Sequence, residues 1–167
     1  MKQCIIIGAS HGGVNCAFAL RREGWEGEIM LIDSDPRLPY HRPPLSKTYL
    51  TDPNSIEQNV LKTAESYEKE NIHLVLGKRV AAIERAKKHI LLSNGESYTY
   101  DKLVLASGAS AFIRPIEGIQ AAKNCFPMRT AQDAIAIQEA FQKLDRKRVV
   151  VIGGGYIGLE TAASLRK

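Results

Sequence analysis

A short apolar run that leads into a glycine-rich turn and then a helix occurs twice in this chain, at residues 3–22 and again at 148–166. In the first copy the apolar run continues up to Gly8, which is typical of a strand buried on both faces of a sheet. A helix predicted at 12–22 then leads to a second apolar strand at 28–32. Because a strand, a helix and a strand in this order form a right-handed parallel unit, the chain is predicted to have an α/β fold.

The first turn is suited to binding a diphosphate, and its residues are Gly8, Ala9, Ser10, His11, Gly12 and Gly13. Against the pattern G-x-G-x-x-G, Gly8 allows the tight turn, Gly13 allows the helix to pack closely on the strand, and Ser10 replaces the middle glycine. The N-terminus of the helix presents main-chain N–H groups to an anion. Asp33 lies 20 residues after Gly13, where an acid would bind a ribose hydroxyl, and Asp35 is a nearby alternative.

The second turn satisfies the same pattern fully and follows the apolar run 149–152; its residues are Gly153, Gly154, Gly155, Tyr156, Ile157 and Gly158. One such motif is a weak signal, but two with matching context predict two dinucleotide sites. FAD and NAD(P)H are the natural pair. The acid that would contact the ribose of the second dinucleotide is expected about 20 residues past Gly158.

Between the turns, residues 34–54 contain five prolines and are predicted to form a long functional loop. The other predicted elements are a helix at 64–70 capped by Thr63, strands at 72–76, 80–84 and 89–92 in an antiparallel meander with a turn at Asn94-Gly95, a buried strand at 103–106, a helix at 131–144 capped by Thr130, and a strand at 149–152.

Composition narrows the class of protein. With 167 residues, 44% of them hydrophobic and 25% charged, the chain is expected to be globular and of about one domain. No apolar run is long enough to span a membrane, and no nucleic-acid-binding signature occurs, so neither partner is expected. Cys4, Cys16 and Cys125 have no zinc-ligand spacing and are expected to be reduced and mostly buried. The apolar run from Cys4 to Ile7 is too short for the core of a signal peptide, so the chain is expected to be cytoplasmic.

A specific segment joins these signals, because Arg42-Pro43-Pro44-Leu45-Ser46-Lys47 is required by no generic nucleotide-binding fold. Together with the two turns, residues 103–108 and residues 129–134, it makes the whole chain resemble the N-terminal part of the FAD-dependent reductases in the pyridine nucleotide-disulfide oxidoreductase superfamily. The resemblance is strongest to the reductases of ferredoxin, putidaredoxin and rubredoxin. It implies a Rossmann-like FAD/NAD(P)-binding fold, apparently truncated, with a parallel sheet and a small antiparallel meander.

The resemblance also implies site residues. Those expected to bind FAD are Gly8, Ser10, Gly12, Gly13, Asp33, Ser34, Asp35, Arg42, Lys47, Val80, Ser107, Gly108 and Arg129. Which residue among Asp33, Ser34 and Asp35 contacts the ribose stays open. Those expected to meet the nicotinamide cofactor are Gly153, Gly155, Tyr156, Ile157, Gly158 and Glu160. Lys47, beside the flavin, and Glu160, beside the nicotinamide, are the catalytic candidates, although either could be an ordinary surface or helix residue.

By the same resemblance, residues 1–112 form the first part of an FAD domain and 113–167 the start of an NAD(P) domain. The implied function is electron transfer from NAD(P)H through the flavin to a small iron–sulfur or rubredoxin-type acceptor. No cysteine lies between Cys16 and Cys125, which argues against the thiol-dependent branches. The alternatives are a non-catalytic nucleotide-binding remnant and an oxidase-type or nitrite-reductase-like member. An unpaired strand at 149–152 predicts self-association.

Overall fold

The computed structural model describes residues 2–52 and 54–166, which form two compact units. The first unit comprises residues 2–40 and 60–108, and the second comprises residues 41–52, 54–59 and 109–166. Met1, Pro53 and Lys167, which fall within the predicted domains and loop, lie outside the described residues. The division into domains at residues 112 and 113 stays a prediction.

A parallel sheet organises the first unit. Its strands, with those of the meander, are β1 (Gln3–Ile7), β2 (Glu28–Ile32), β3 (Ile72–Val75), β4 (Val80–Glu84), β5 (His89–Leu92), β6 (Ser97–Thr99) and β7 (Lys102–Leu105). The order in the four-stranded sheet is β3-β2-β1-β7, and every neighbouring pair is parallel. The antiparallel sheet has the order β4-β5-β6. The predicted α/β fold with a small meander is therefore confirmed.

The side chains of the central strand, β1, point alternately to the two faces of the sheet and so divide the core into two layers. Cys4 and Ile6 face one side of the sheet, where helix α1 (His11–Arg22) contributes Val14 and Ala17 to the same buried cluster. Ile5 faces the other side and packs with residues of β2 and β5, namely Ile32, Ile90 and Leu92. Successive side chains of a strand point to opposite faces, so the sheet is covered by helices on one side and by the meander on the other.

The helices of the chain are α1, α2 (Thr48–Thr51), α3 (Ser55–Gln58), α4 (Ala64–Lys69), α5 (Ala131–Gln142) and α6 (Tyr156–Leu165). At the start of α5 the Thr130 hydroxyl accepts the Asp133 amide and the Asp133 carboxylate accepts the Thr130 amide, which confirms the predicted cap. Thr63 precedes α4, but its hydroxyl lies 3.0 Å from the Ser66 hydroxyl and makes no bond to the helix backbone. None of the described helices is long and apolar enough to cross a bilayer.

The C-terminal end of α1 is held by a single arginine. The Arg21 guanidinium donates to four carbonyl oxygens, those of Trp25 and Gly27 at 2.7 Å, Glu70 at 2.6 Å and Asn71 at 2.7 Å. These carbonyls belong to the loop between α1 and β2 and to the loop before β3. The planar guanidinium can reach several acceptors at once, so it fixes both loops against α1.

The strand at 72–76 was predicted in the meander, and this prediction is wrong. Residues Ile72–Val75 pair in parallel with β2, from Ile29↔Ile72 to Ile32↔Val75. The chain reaches this strand after helix α4, and a strand that follows a crossover returns to a sheet in the parallel direction. Its sequence, IHLV, is as compatible with a parallel edge as with a meander.

Residues 149–152 were predicted to form a strand, and this prediction is also wrong for the described structure. No strand is assigned to them, and Val150 and Ile152 are 88% and 62% exposed. A strand requires a partner for its main-chain groups, and none of the described segments pairs with this run. The cysteine expectation is partly wrong too, because Cys4 is buried but Cys125 is exposed; all three are free.

Candidate functional site

The first glycine turn lies at the carboxyl end of β1, in the middle of the parallel sheet. Gly8 has φ +107°, and a Cβ there would overlap the carbonyl oxygen of Ala106, just after β7. A Cβ at Gly13 would overlap the carbonyl oxygen of Gly8. Both positions therefore require glycine, one for a positive φ and one for the close approach of helix and strand. Gly12 differs, because its Cβ would meet nothing closer than Ala106 Cβ at 3.9 Å.

The start of α1 has the properties of an anion-binding site. Ser10 is the residue before the helix; its backbone is extended and its carbonyl accepts the Val14 amide at 2.9 Å. The Ser10 side chain does not cap the helix, and the first turn contains no acid. The partial positive charge of the helix end is thus not neutralised by an acid of its own first turn, and it lies at the sheet edge where dinucleotides bind in folds of this kind.

Two acids follow β2, and their carboxylates have different partners. Asp33 Oδ2 accepts the main-chain amide of Ala9 at 2.5 Å, and Asp33 Oδ1 accepts the amide of Asp35 at 2.9 Å. Asp35 accepts the Tyr40 hydroxyl at 2.9 Å and lies 3.6 Å from the Arg37 guanidinium. The Asp33 carboxylate is therefore bonded to the turn, whereas the Asp35 carboxylate bonds to residues of its own loop, and the role of either acid at a ribose stays a prediction.

Three other predicted residues lie in the first unit. Ser107 and Gly108 follow β7 at the same edge of the sheet, and a Cβ at Gly8 would lie 3.0 Å from the Ser107 amide nitrogen. Ser34 is exposed between the two acids. Val80 begins β4 and packs against the core cluster under the meander, so it is not brought to the glycine turn by any described contact.

The second glycine turn repeats the local geometry of the first. Gly153 has φ +123°, and a Cβ at Gly158 would overlap the Gly153 carbonyl oxygen. Gly155 precedes α6, which begins at Tyr156. The turn is open to solvent, since Tyr156 is 89% and Ile157 53% exposed.

The two catalytic candidates form an ion pair within the second unit. Lys47 Nζ lies 2.8 Å from Glu160 Oε2, and the Ser46 hydroxyl donates to the same oxygen at 2.5 Å. The Lys47 ammonium and the Ser46 hydroxyl together hold the pKa of Glu160 below its usual value. Glu160 is thus an ionised acceptor for a nearby cation at neutral pH.

Arg42 and Arg129 are also brought together. Arg42 Nη1 donates to the Arg129 carbonyl at 3.0 Å, and Arg129 Nε donates to the Ala109 carbonyl at 3.0 Å. The Asp133 carboxylate accepts the Arg129 amide at 3.0 Å, in addition to capping α5. The main-chain amide and the main-chain carbonyl of Arg129 are therefore both held by side chains.

Sequence reasoning missed the serines of this region. The Ser164 hydroxyl donates to the Ser46 carbonyl at 2.9 Å, and Ser46 is only 4% exposed. A signal was present, because Glu160 and Ser164 are four residues apart and must share a face of one helix. The partner of that face was not predictable, since it lies more than a hundred residues away in the sequence.

Comparison with known proteins identifies relatives over nearly the whole chain. The sequence model of the pyridine nucleotide-disulphide oxidoreductase family matches residues 2–167. The chain is 42% identical to putidaredoxin reductase CamA of Pseudomonas putida over 165 residues, which is 98% of this chain and 39% of the relative. It is 38% identical to rubredoxin-NAD(+) reductase of Pseudomonas putida over 160 residues, covering 96% of this chain and 41% of the relative.

Solved structures agree with the sequence comparisons. The covalent putidaredoxin reductase–putidaredoxin complex contains a similar chain, with a TM-score of 0.88, 41% identity, and coverage of 99% of this chain and 40% of that one. A ferredoxin reductase from Rhodopseudomonas palustris has a TM-score of 0.91 and 33% identity, again with 99% and 40% coverage. The chain thus spans about two fifths of the length of these relatives. The resemblance noted in the sequence is confirmed, and the chain belongs to the pyridine nucleotide-disulphide oxidoreductase family.

Proposed function

We propose that this chain is part of an FAD-dependent NAD(P)H oxidoreductase that passes electrons to a small iron–sulfur or rubredoxin-type acceptor. The observation that carries the proposal is the first glycine turn, where Gly8 and Gly13 have no room for a side chain and α1 begins at the carboxyl edge of a parallel sheet. The named relatives, a putidaredoxin reductase and a rubredoxin reductase, support the choice of redox chemistry and acceptor. The net charge of +5 suits an acidic acceptor.

The residues of the first unit fit the adenosine diphosphate half of FAD. The turn of Gly8, Ser10, Gly12 and Gly13 would hold the diphosphate, because its glycines let a phosphate approach the main chain at a helix N-terminus. Ser107 and Gly108 follow β7 at this edge, and Val80 would contact the adenine through its backbone. When bound, FAD accepts two electrons and can release them singly.

Of the acids after β2, Asp35 is the better candidate for the ribose. Both oxygens of Asp33 accept main-chain amides, including that of Ala9 within the turn, so this carboxylate fixes the turn itself. Asp35 Oδ1 accepts the main-chain amide of Arg37 at 3.1 Å, whereas Asp35 Oδ2 accepts the Tyr40 hydroxyl, a side-chain donor whose place a ribose hydroxyl would take. Ser34 is exposed beside them and is a second candidate for this contact.

The second unit supplies residues for the redox end of the reaction. Gly153, Gly155, Tyr156, Ile157 and Gly158 would receive the nicotinamide dinucleotide, because they repeat the geometry of the first turn. We assign to Lys47 the role of a fixed cation that stabilises negative charge on a reduced flavin. Glu160 would then orient Lys47 and face the nicotinamide, and Arg42 and Arg129 would bind the cofactor.

Flavin binding and bleaching test the proposal directly. The chain is titrated with FAD and followed by the visible flavin bands, and NADH or NADPH is then added under anaerobic conditions. We expect FAD to bind with a micromolar or lower Kd and the bands to bleach as the flavin is reduced. Ser97→Ala, a change on the exposed outer strand β6, serves as the control and should leave both readouts unchanged. Absence of FAD binding in a folded chain would contradict the proposal.

A second function is favoured by one observation. The run 149–152, which precedes the second turn, is exposed and belongs to no described strand. A chain in this state could bind an adenine nucleotide at the first turn without transferring hydride. ADP binding without NADH-dependent bleaching would support this non-catalytic role.

A further inference from the structure

The turn Pro43–Ser46 and the helix α6 are joined by a set of polar contacts that we call the serine network, formed by Ser46, Lys47, Glu160 and Ser164. The Ser46 hydroxyl donates to Glu160 Oε2 at 2.5 Å, and the Lys47 ammonium lies 2.8 Å from the same oxygen. The Ser164 hydroxyl donates to the Ser46 carbonyl at 2.9 Å. Ser46 is thus bonded to α6 through both its side chain and its main chain.

Exposure shows what the serines add to the ion pair. The side chains of Lys47 and Glu160 are 48% and 34% exposed, and an ion pair at such a surface is weak and mobile on its own. Ser46, in contrast, is only 4% exposed, and a buried hydroxyl has a strong preference for a partner. Its bond to Glu160 therefore ties a flexible carboxylate to a fixed point of the fold.

The acceptors around Lys47 define the direction of its ammonium group. Its ammonium group has three hydrogens; one points to Glu160 and one to the Pro43 carbonyl at 3.2 Å. Within the described ranges 2–52 and 54–166, Lys47 is the cation in ion-pair contact with Glu160. With two hydrogens engaged, the third has a fixed direction in which it can meet an acceptor.

We propose that Ser46 and Ser164 are positioning residues for the redox step: Ser46 fixes the carboxylate of Glu160, Ser164 fixes Ser46, and together they aim the Lys47 ammonium. This inference rests on the proposed function, since it takes Lys47 as the cation that stabilises the reduced flavin. Both serines act in this proposal through the protein groups to which they are bonded. If they served packing alone, alanine at either position would leave the pKa of Glu160 and the direction of Lys47 unchanged.

The first test needs no cofactor. The carboxyl carbon of Glu160 is followed by NMR through a pH titration in the 167-residue chain and in Ser46→Ala, Ser164→Ala and Ser110→Ala. Loss of the donated hydrogen bond should shift the pKa of Glu160 upward in Ser46→Ala and, by a smaller amount, in Ser164→Ala. Ser110 is exposed in the second unit, and its replacement should leave the titration unchanged. A wild-type titration curve in folded Ser46→Ala would overturn the proposal; if Ser46→Ala fails to fold, the same result in Ser164→Ala would do so.

The second test uses added FAD and NADH. We expect bleaching to be about tenfold to a hundredfold slower in Ser46→Ala than in the wild type, with FAD affinity unchanged, because misplaced catalytic groups lower the rate of reaction. Equal bleaching rates would overturn the proposal. If the wild type itself does not bleach, the proposed function fails, and the NMR titration still decides whether the serines position the ion pair.

Discussion

The two glycine turns have the same local geometry but different surroundings. In each, the first glycine has a positive φ, +107° at Gly8 and +123° at Gly153. In each, the last glycine, Gly13 or Gly158, packs against the carbonyl oxygen of the first. Around Gly8, however, the Ala106 carbonyl closes the space, whereas a Cβ at Gly153 would meet nothing within 4 Å.

This difference distinguishes structure that a segment forms by itself from structure that forms only with neighbouring strands. The turn forms in both copies because a glycine pattern and a helix start are local properties. The strand before it forms only in the first copy, where β2 and β7 flank β1 and pair with it residue by residue. In the second copy the four apolar residues 149–152 have no described partner, and they are exposed.

Substituting the first glycine of each turn should give the largest difference between the copies. In Gly8→Ala the side chain would have both a disfavoured φ and an overlap with Ala106, so we expect a loss of about 4 kcal/mol in the free energy of unfolding. In Gly153→Ala only the φ is unfavourable, and the loss should be about 1 to 2 kcal/mol.

The fluorescence of Trp25, the single tryptophan, reports urea unfolding of the first unit, and hydrogen exchange of the α6 amides reports the second. Equal losses at the two glycines would show that the surroundings of Gly8 add nothing to its requirement for glycine.

The residues three positions before each turn provide the next comparison. Ile5 is fully buried between the sheet and the meander, and Ile5→Ala should destabilise the first unit by about 3 kcal/mol through lost burial and a cavity. Val150, at the matching position, is 88% exposed, and Val150→Ala should change stability by less than about 0.5 kcal/mol.

Val150→Ala should also reduce self-association, as measured by sedimentation velocity, if the run 149–152 is the surface through which copies associate. A destabilisation of Val150→Ala similar to that of Ile5→Ala would mean that 149–152 is paired in solution.

Alkaline pH should affect the first unit more than the second. Burial raises the pKa of Tyr67 from its usual 10 to about 12, and its hydroxyl has no partner within the described residues. Because the unfolded chain loses this proton near pH 10 and the folded chain does not, stability is full below pH 10 and falls as pH rises toward 12. The shift corresponds to a loss of about 2 kcal/mol.

Urea unfolding followed by Trp25 fluorescence between pH 9 and pH 12 measures this loss, and Tyr67→Phe provides the reference. The variant should show a smaller decline over this range than the wild type. Parallel declines in the two proteins would mean that Tyr67 ionises in the folded state as readily as in the unfolded one.

Elements set by local sequence were predicted well. The turn residues, α1, the capping box at Thr130 and Asp133, and the hairpin at Gly95 follow from glycine positions, capping residues and periodicity within a few residues. The strand at 72–75 and the run 149–152 were misplaced, because four apolar residues do not specify which sheet they join, or whether they join one.

In the candidate site, too, contacts between residues far apart in the sequence were not predicted. The pairing of Lys47 with Glu160 was not predicted, although each was named, because 113 residues separate them in the sequence. Ser46 and Ser164 were not named as contributors, since an isolated serine carries little sequence signal. Similarly, nothing local shows that the Asp33 carboxylate accepts the Ala9 amide.

The arginine at the far end of α1 has a consequence for the diphosphate site. Helix α1 runs from His11 to Arg22, and its 12 residues place the Arg21 contacts roughly 18 Å from the glycine turn. Because α1 is a rigid helix, a tilt at its C-terminal end also moves its N-terminal end. The lysine in Arg21→Lys could not reach all four carbonyls. The N-terminal end of α1, where the phosphate oxygens would lie, would then be less precisely oriented, although the sequence of the glycine turn is unchanged.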